Sequence, residues 1–90
     1  MNNEQHERLS MLLEEAGEVI QICGKILRHG YDSSNPLDRT GTNKELLEKE
    51  LQDLYTLMYI MSERNDIVLD FSNDKVKEIW SRKLKWTHYQ

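Results

Sequence analysis

Glu15, Glu18, Glu50 and Asp53 are the residues of this 90-residue chain whose types and spacing suggest chemistry. They form two acidic pairs, each with an i, i+3 step, which in a helix puts both side chains on one face. Two such pairs on facing helices converge four carboxylates. Four close negative charges repel one another unless a divalent cation sits among them, and a set of hard oxygen ligands suits Mg²⁺ or Mn²⁺. Zinc is not indicated, because Cys23 is the one cysteine and His6, His29 and His88 are scattered. Neither an EF-hand loop nor a glycine-rich phosphate-binding loop is present.

Glu50 is the most informative of the four. In the stretch ELLEKELQDLYTLM it falls inside an apolar arc, between Leu47, Leu51, Leu54, Met58 and Met61 on one side and Leu46 and Leu57 on the other. A buried carboxylate must be protonated, paired or coordinated. Pairing with Lys or Arg is the first alternative to coordination; Lys49 and Arg64 do not share its direction along the helix, so such a partner would have to come from elsewhere. Asp53 lies at the edge of the same arc. On the first helix, Glu15 borders an apolar stripe beside Leu12 and Val19, and Glu18 lies one turn away, bracketed by Met11 and Ile22.

The elements that must position these groups are helices. From Glu4 to Arg28, apolar residues recur at i, i+3, i+4 and i+7: Leu9, Leu12, Leu13, Ala16, Val19, Ile20, Cys23, Ile26 and Leu27. Gly30 suits the C′ position that ends this helix. A polar loop, YDSSNPLDRTG, follows; at His29 to Gly41 it is longer than most helix connections, which suggests either a functional lid, mobile without ligand, or a disordered or plain linking stretch. Thr42 and Glu45 form a capping box that opens a second helix running to about Arg64. A third begins at Ser72 or Asn73 and carries Val76, Ile79, Trp80 and Leu84, after a short apolar segment, NDIVLDF. The expectation is a single all-α domain over residues 1–90.

A net charge of −4 argues against binding a nucleic-acid polymer, which needs a basic face. No apolar run approaches the length of a membrane span, and MNNEQHERLS does not read as a signal peptide, so a cytoplasmic protein is expected. A single cysteine suits a reducing compartment. A chain this short buries only about 60% of the surface its unfolded form exposes, so a homodimer or homotetramer is expected.

The acidic strings together resemble a known family. EEAGE (Glu14 to Glu18) followed by ELQD (Glu50 to Asp53) resembles the EExxE…ExxD pattern of the MazG-like, all-α nucleoside triphosphate pyrophosphohydrolases, and in particular their short, single-domain, phage-type members. The resemblance spans roughly Leu9 to Met61. Thirty-one residues separate Glu18 from Glu50, more than the usual pattern has, and the extra length falls in the loop. The resemblance implies a helical bundle whose four-helix units are completed across subunits. It implies Mg²⁺-dependent hydrolysis of a nucleoside triphosphate, a deoxynucleoside triphosphate foremost, between the α and β phosphates. Glu15, Glu18, Glu50 and Asp53 would be the metal ligands, and Glu14 and Glu15 would act on the attacking water. Family members also use basic and amide groups from later elements, which points to Asn73.

Lys25 returns to nearly the face of Glu18, and with Arg28 it could reach phosphate oxygens or simply complement the dipole of the last turn. His29 and Tyr31 could stack on a base or simply pack in the loop, and Arg39 is the loop cation assigned to the substrate. Gly17 and Gly24, seven apart, suggest close helix approach or ligand access. The competing class is a non-catalytic helical interaction module, an adaptor or antitoxin-like partner, that would need no metal. A ferritin-type di-metal bundle would need a Glu-x-x-His motif, which is absent.

Overall fold

The computed structural model describes residues 1–37 and 41–90. They form three helices, α1 (Asn3–His29), α2 (Asn43–Glu63) and α3 (Asn73–Leu84), and no strand among the described residues. Local chemistry sets the ends. Asn2 and Gln5 form a capping box at the start of α1 that the sequence reading missed, because Asn-x-x-Gln is a weaker signal than Thr-x-x-Glu. At α2 the expected box is present: the Glu45 N–H donates to Thr42 Oγ1 and the Thr42 N–H to Glu45 Oε1, both at 3.2 Å. Gly30 ends α1 with φ +88°, and its N–H donates to the Ile26 carbonyl at 2.6 Å.

α1 and α2 pack as an antiparallel hairpin, tied at both ends. At the loop end, Asn43 is almost fully buried. Its side chain donates to the Gly30 carbonyl (3.0 Å) and its backbone N–H to the Ser33 carbonyl (2.8 Å), while the Lys44 N–H donates to the Tyr31 carbonyl (2.9 Å). The first part of the loop is therefore pinned to the start of α2; residues 38–40, Arg39 among them, lie outside the described residues. At the open end, α2 stops at a turn in which Asn65 takes φ +61°, and Asp66 accepts two parallel hydrogen bonds from the Arg8 guanidinium, the Nη2–Oδ1 bond at 2.9 Å. NDIVLDF then runs on without helix to Ser72, which caps α3.

The Arg8–Asp66 clamp makes stability depend on pH in a defined direction. The hydrogen bond from Arg8 holds the Asp66 carboxyl below its ordinary value of 3.8, more than burial raises it. A carboxyl with a depressed folded pKa contributes stability that is present above the unfolded pKa and lost as pH falls through the folded one. Asp66→Asn should therefore lower the melting temperature at pH 7 by about 5 °C or more. Below the folded pKa of Asp66, where its carboxyl is protonated and the charged pair is lost, the two proteins should converge. A constant difference in thermal melts from pH 2 to 7 would show that the clamp's charge contributes nothing.

The contact line between α1 and α2 corrects the sequence reading of the apolar face. Ile22, taken as a bracket on the flank, is the most buried residue of α1, and with Leu57 and Met61 it makes up the buried apolar core. The other half of the α1 stripe is uncovered: Leu9, Leu13, Ile20 and Leu27 are 46%, 77%, 72% and 89% exposed. The reason is rotational. The carboxylates and Ile22 occupy the arc that faces α2, which turns the leucine-rich arc outward. Leu51 and Tyr55 on α2 are turned from the contact line in the same sense, so in an antiparallel pair they share one broad face with the exposed α1 residues. Glu18 and Asp53 are turned the other way, to the opposite face.

Gly17 and Gly24 are not explained by helix approach within the protomer. A Cβ at Gly17 would meet nothing, and one at Gly24 would make an ordinary contact with the Arg28 side chain.

α3 packs against neither α1 nor α2. The molecule measures 43 × 36 × 17 Å, with a radius of gyration of 16.1 Å. A compact 90-residue domain would have about 12 Å. A thickness of 17 Å exceeds the roughly 10–12 Å of one helix, but within the protomer α1 and α2 pack only on each other.

Candidate metal centre

Glu15 on α1 and Glu50 and Asp53 on α2 each offer a carboxylate oxygen, and these oxygens lie within 4.8 Å of one another. Glu15 and Glu50 meet because each sits on the contact line of its own helix; Asp53 reaches them from one turn further along α2. Octahedral Mg²⁺ with ligand bonds of about 2.0–2.1 Å separates opposite oxygens by about 4.2 Å, so small side-chain rotations would fit the three oxygens to one ion.

The electrostatics show what the cluster costs without an ion. Glu15 Oε2 and Glu50 Oε2 are buried with no hydrogen-bond partner, and the Glu50 side chain is 16% exposed. Orphaned buried acceptors of this kind are uncommon and call for an explanation such as a bound ion. Burial pushes the Glu15 carboxyl above its ordinary value, and the negative charges of Asp53 and Glu50 push it further. Glu18 is pushed up to about 7, first by its hydrogen-bonding contact with Glu50, then by burial and the charge of Glu15. Hard oxygen donors, partial burial and two orphaned oxygens fit a divalent cation; no histidine or cysteine joins the group.

One expectation about Glu50 is corrected. Lys49 was read as pointing away from it, yet Lys49 Nζ lies 3.5 Å from Glu50 Oε1 and 3.0 Å from Asp53 Oδ2. The helical direction of a Cβ does not limit a four-carbon stem, which here swings back along α2 to the residue four positions on. The side chain remains 63% exposed.

The other candidates divide into two groups. Lys25 and Arg28 line a groove of about 450 Å³ together with Glu18, Gln21, Ile22, Leu46, Lys49 and Glu50, so both cations stand beside the carboxylates. Lys25 also borders a smaller cavity, about 230 Å³, lined by His29, Ser33, Asn35 and Asn43. The groove therefore continues from the carboxylates to the pinned part of the loop. Glu14 and Asn73 are not brought in. Glu14 is exposed on the outer flank of α1. Asn73 opens α3, which has no contact with the hairpin within the protomer.

Lys49 and Gln21 are the groove residues that the sequence reading left out. Lys49 had a signal, its i, i+4 spacing to Asp53; Gln21 had none. Among the described residues, no helix is long and apolar enough to cross a membrane. Comparison with family models, curated proteins and solved structures gives no match.

Proposed function

We propose that this chain is a Mg²⁺-dependent nucleoside triphosphate pyrophosphohydrolase of the MazG-like type, acting foremost on a deoxynucleoside triphosphate and releasing the monophosphate and pyrophosphate. The observation that carries the reading is the convergence of Glu15, Glu50 and Asp53 from two helices with two buried oxygens unpartnered. Glu15, Glu50 and Asp53 would hold the cation, Mn²⁺ serving in place of Mg²⁺, with Glu18 completing the set. When bound, the cation neutralises phosphate charge and lowers the pKa of a coordinated water. Lys25 and Arg28 bind phosphate oxygens along the groove wall, and His29 lies where the cavity beyond them would receive the nucleoside. Of the two acids assigned to the attacking water, Glu15 lies in the cluster with a raised proton affinity, and Glu14 stands outside it.

The same reading includes a second copy of the chain. A helical domain needs two packed layers, and in this protomer α1 and α2 pack only on each other. The uncovered face of Leu9, Leu13, Ile20, Leu27, Leu51 and Tyr55 is the surface on which another hairpin would complete a four-helix unit, leaving the carboxylate face open. Charge distribution favours contact between copies as well. Fourteen acidic and seven basic residues precede Ser72, whereas two acidic and five basic residues follow it, so the α3 segment complements the hairpin of a neighbour. Asn73 would reach a substrate only through such a neighbour. A cytoplasmic location, in a host cell if the chain is phage-encoded, belongs to this reading.

The test is pyrophosphate release from a panel of ribo- and deoxynucleoside triphosphates with Mg²⁺, with Mn²⁺ and with chelator. The expected result is equimolar monophosphate and pyrophosphate from at least one deoxynucleotide, abolished by chelation. No release from any nucleotide with either ion would leave the non-catalytic helical module as the reading.

A further inference from the structure

Among the ion pairs of the described residues, Lys49 alone brings a cation to the acidic cluster; neither Lys25 nor Arg28 pairs with a carboxylate. Its ammonium lies on Asp53 and Glu50, two of the three residues whose oxygens converge. The same side chain lines the groove that holds Lys25 and Arg28. Lys49 thus stands between a site for a cation and a site for an anion. It is largely exposed, and exposed ion pairs are weak and readily exchanged.

We propose that Lys49 is a displaceable counter-cation: it neutralises Asp53 and Glu50 while no divalent ion is bound, and it is released by the ion to join Lys25 and Arg28 as a third phosphate-binding cation. The inference rests on the reading of the cluster as a divalent-cation site. Its physical content is competition followed by coupling. An ammonium and a divalent ion cannot both sit on the same carboxylate oxygens, so Lys49 weakens ion binding in the absence of substrate. Once displaced, its charge leaves Asp53 and Glu50 and is available to an anion in the groove that it lines. An anion that engages Lys49 removes the competitor, so anion and cation each raise the affinity for the other, by the same factor. A free, uncoupled Lys at this position would do neither.

The experiment measures Mn²⁺ binding by electron paramagnetic resonance and calorimetry, with inorganic pyrophosphate as the anion, on the parent, Lys49→Met and Lys49→Arg. Lys49→Met keeps an unbranched stem on an exposed helix position, so it should fold as the parent does. The expected result is that Lys49→Met binds Mn²⁺ alone about 5-fold more tightly. With Mn²⁺ saturating, it should bind pyrophosphate about 10-fold more weakly, so the coupling between the two ligands shrinks by both effects. Lys49→Arg should restore the weaker Mn²⁺ binding and most of the pyrophosphate affinity. Equal or weaker Mn²⁺ binding by Lys49→Met would overturn the proposal while leaving the metal site standing. Absence of Mn²⁺ binding by parent and variant alike would overturn both the site and the role of Lys49.

Discussion

Glu50→Gln should reduce pyrophosphate release by about 100-fold or more while raising the melting temperature of the ion-free protein. Changes to groups that merely support a metal ligand commonly cost about 10–100-fold, and Glu50 is placed to be a ligand itself. The gain in stability comes from the same position. Glu50 carries a buried oxygen without a partner, and its contact is the largest reason that the Glu18 carboxyl is pushed up to about 7. An acid whose folded pKa exceeds its unfolded value opposes folding once it ionises. Parent stability without ion should therefore fall as pH rises from about 4.5, the ordinary value, to about 7, the opposite sense to Asp66. Glu50→Gln should flatten that decline. Mg²⁺ should restore the parent at pH 8 and shift the variant far less, because an ion that binds only the folded state stabilises it in proportion to its occupancy. Thermal melts with and without Mg²⁺ at pH 5 and 8, alongside the activity assay, decide the matter. Equal Mg²⁺-induced shifts for the two proteins would rule out coordination by Glu50.

Ile20→Lys should abolish self-association. Ile20 is 72% exposed and lies at the middle of the uncovered stripe on α1, far from the carboxylates in rotation around the helix. In an isolated protomer the change would be nearly neutral. In a complex it would bury a charge where an apolar side chain worth about 1.5–3 kcal/mol of burial had been. Loss of the apolar term alone weakens association by roughly 10- to 100-fold per contact, and a two-fold interface presents the position twice. A stable interface buries about 1,200 Å² or more in total, so the exposed hairpin face would have to be covered over most of its length. Sedimentation should show a dimer or tetramer for the parent and a protomer mass for the variant, with lower thermal stability following dissociation. A parent that sediments as a 10.7 kDa protomer at 0.1 mM, taken as a working concentration of roughly that order, would remove the second copy from the reading. So would a variant that associates as the parent does.

Together these outcomes separate two roles that one helix serves. α1 presents Glu15 and Glu18 toward the contact line and the groove, and Leu13, Ile20 and Leu27 away from it. A substitution on either arc should leave the other property measurable, provided that association is not needed to hold the groove open. Mn²⁺ binding by Ile20→Lys tests that provision directly.

The three helices, their caps at Thr42 and Gly30, and the pairing of each acid with its i+3 neighbour follow from local chemistry and are legible in the residues alone. Periodicity and capping act within a few residues, so no knowledge of the fold is needed to read them. The anomalous place of Glu50 was also legible, since an acid between leucines stands out at 100° per residue. Which arc of α1 faces α2 was not. Two arcs were apolar enough to serve, and the tertiary structure chose the one with Ile22, Glu15 and Val19, leaving Leu13 and Leu27 bare. Nor could the sequence place Lys49 on Glu50 and Asp53, because a flexible stem goes where the surrounding charge draws it. The Arg8–Asp66 clamp was equally hidden: its partners lie 58 residues apart, and only the antiparallel return of α2 brings them together. Short-range rules specify elements and faces; rotation about a helix axis and the settling of long side chains depend on what the packed neighbour presents.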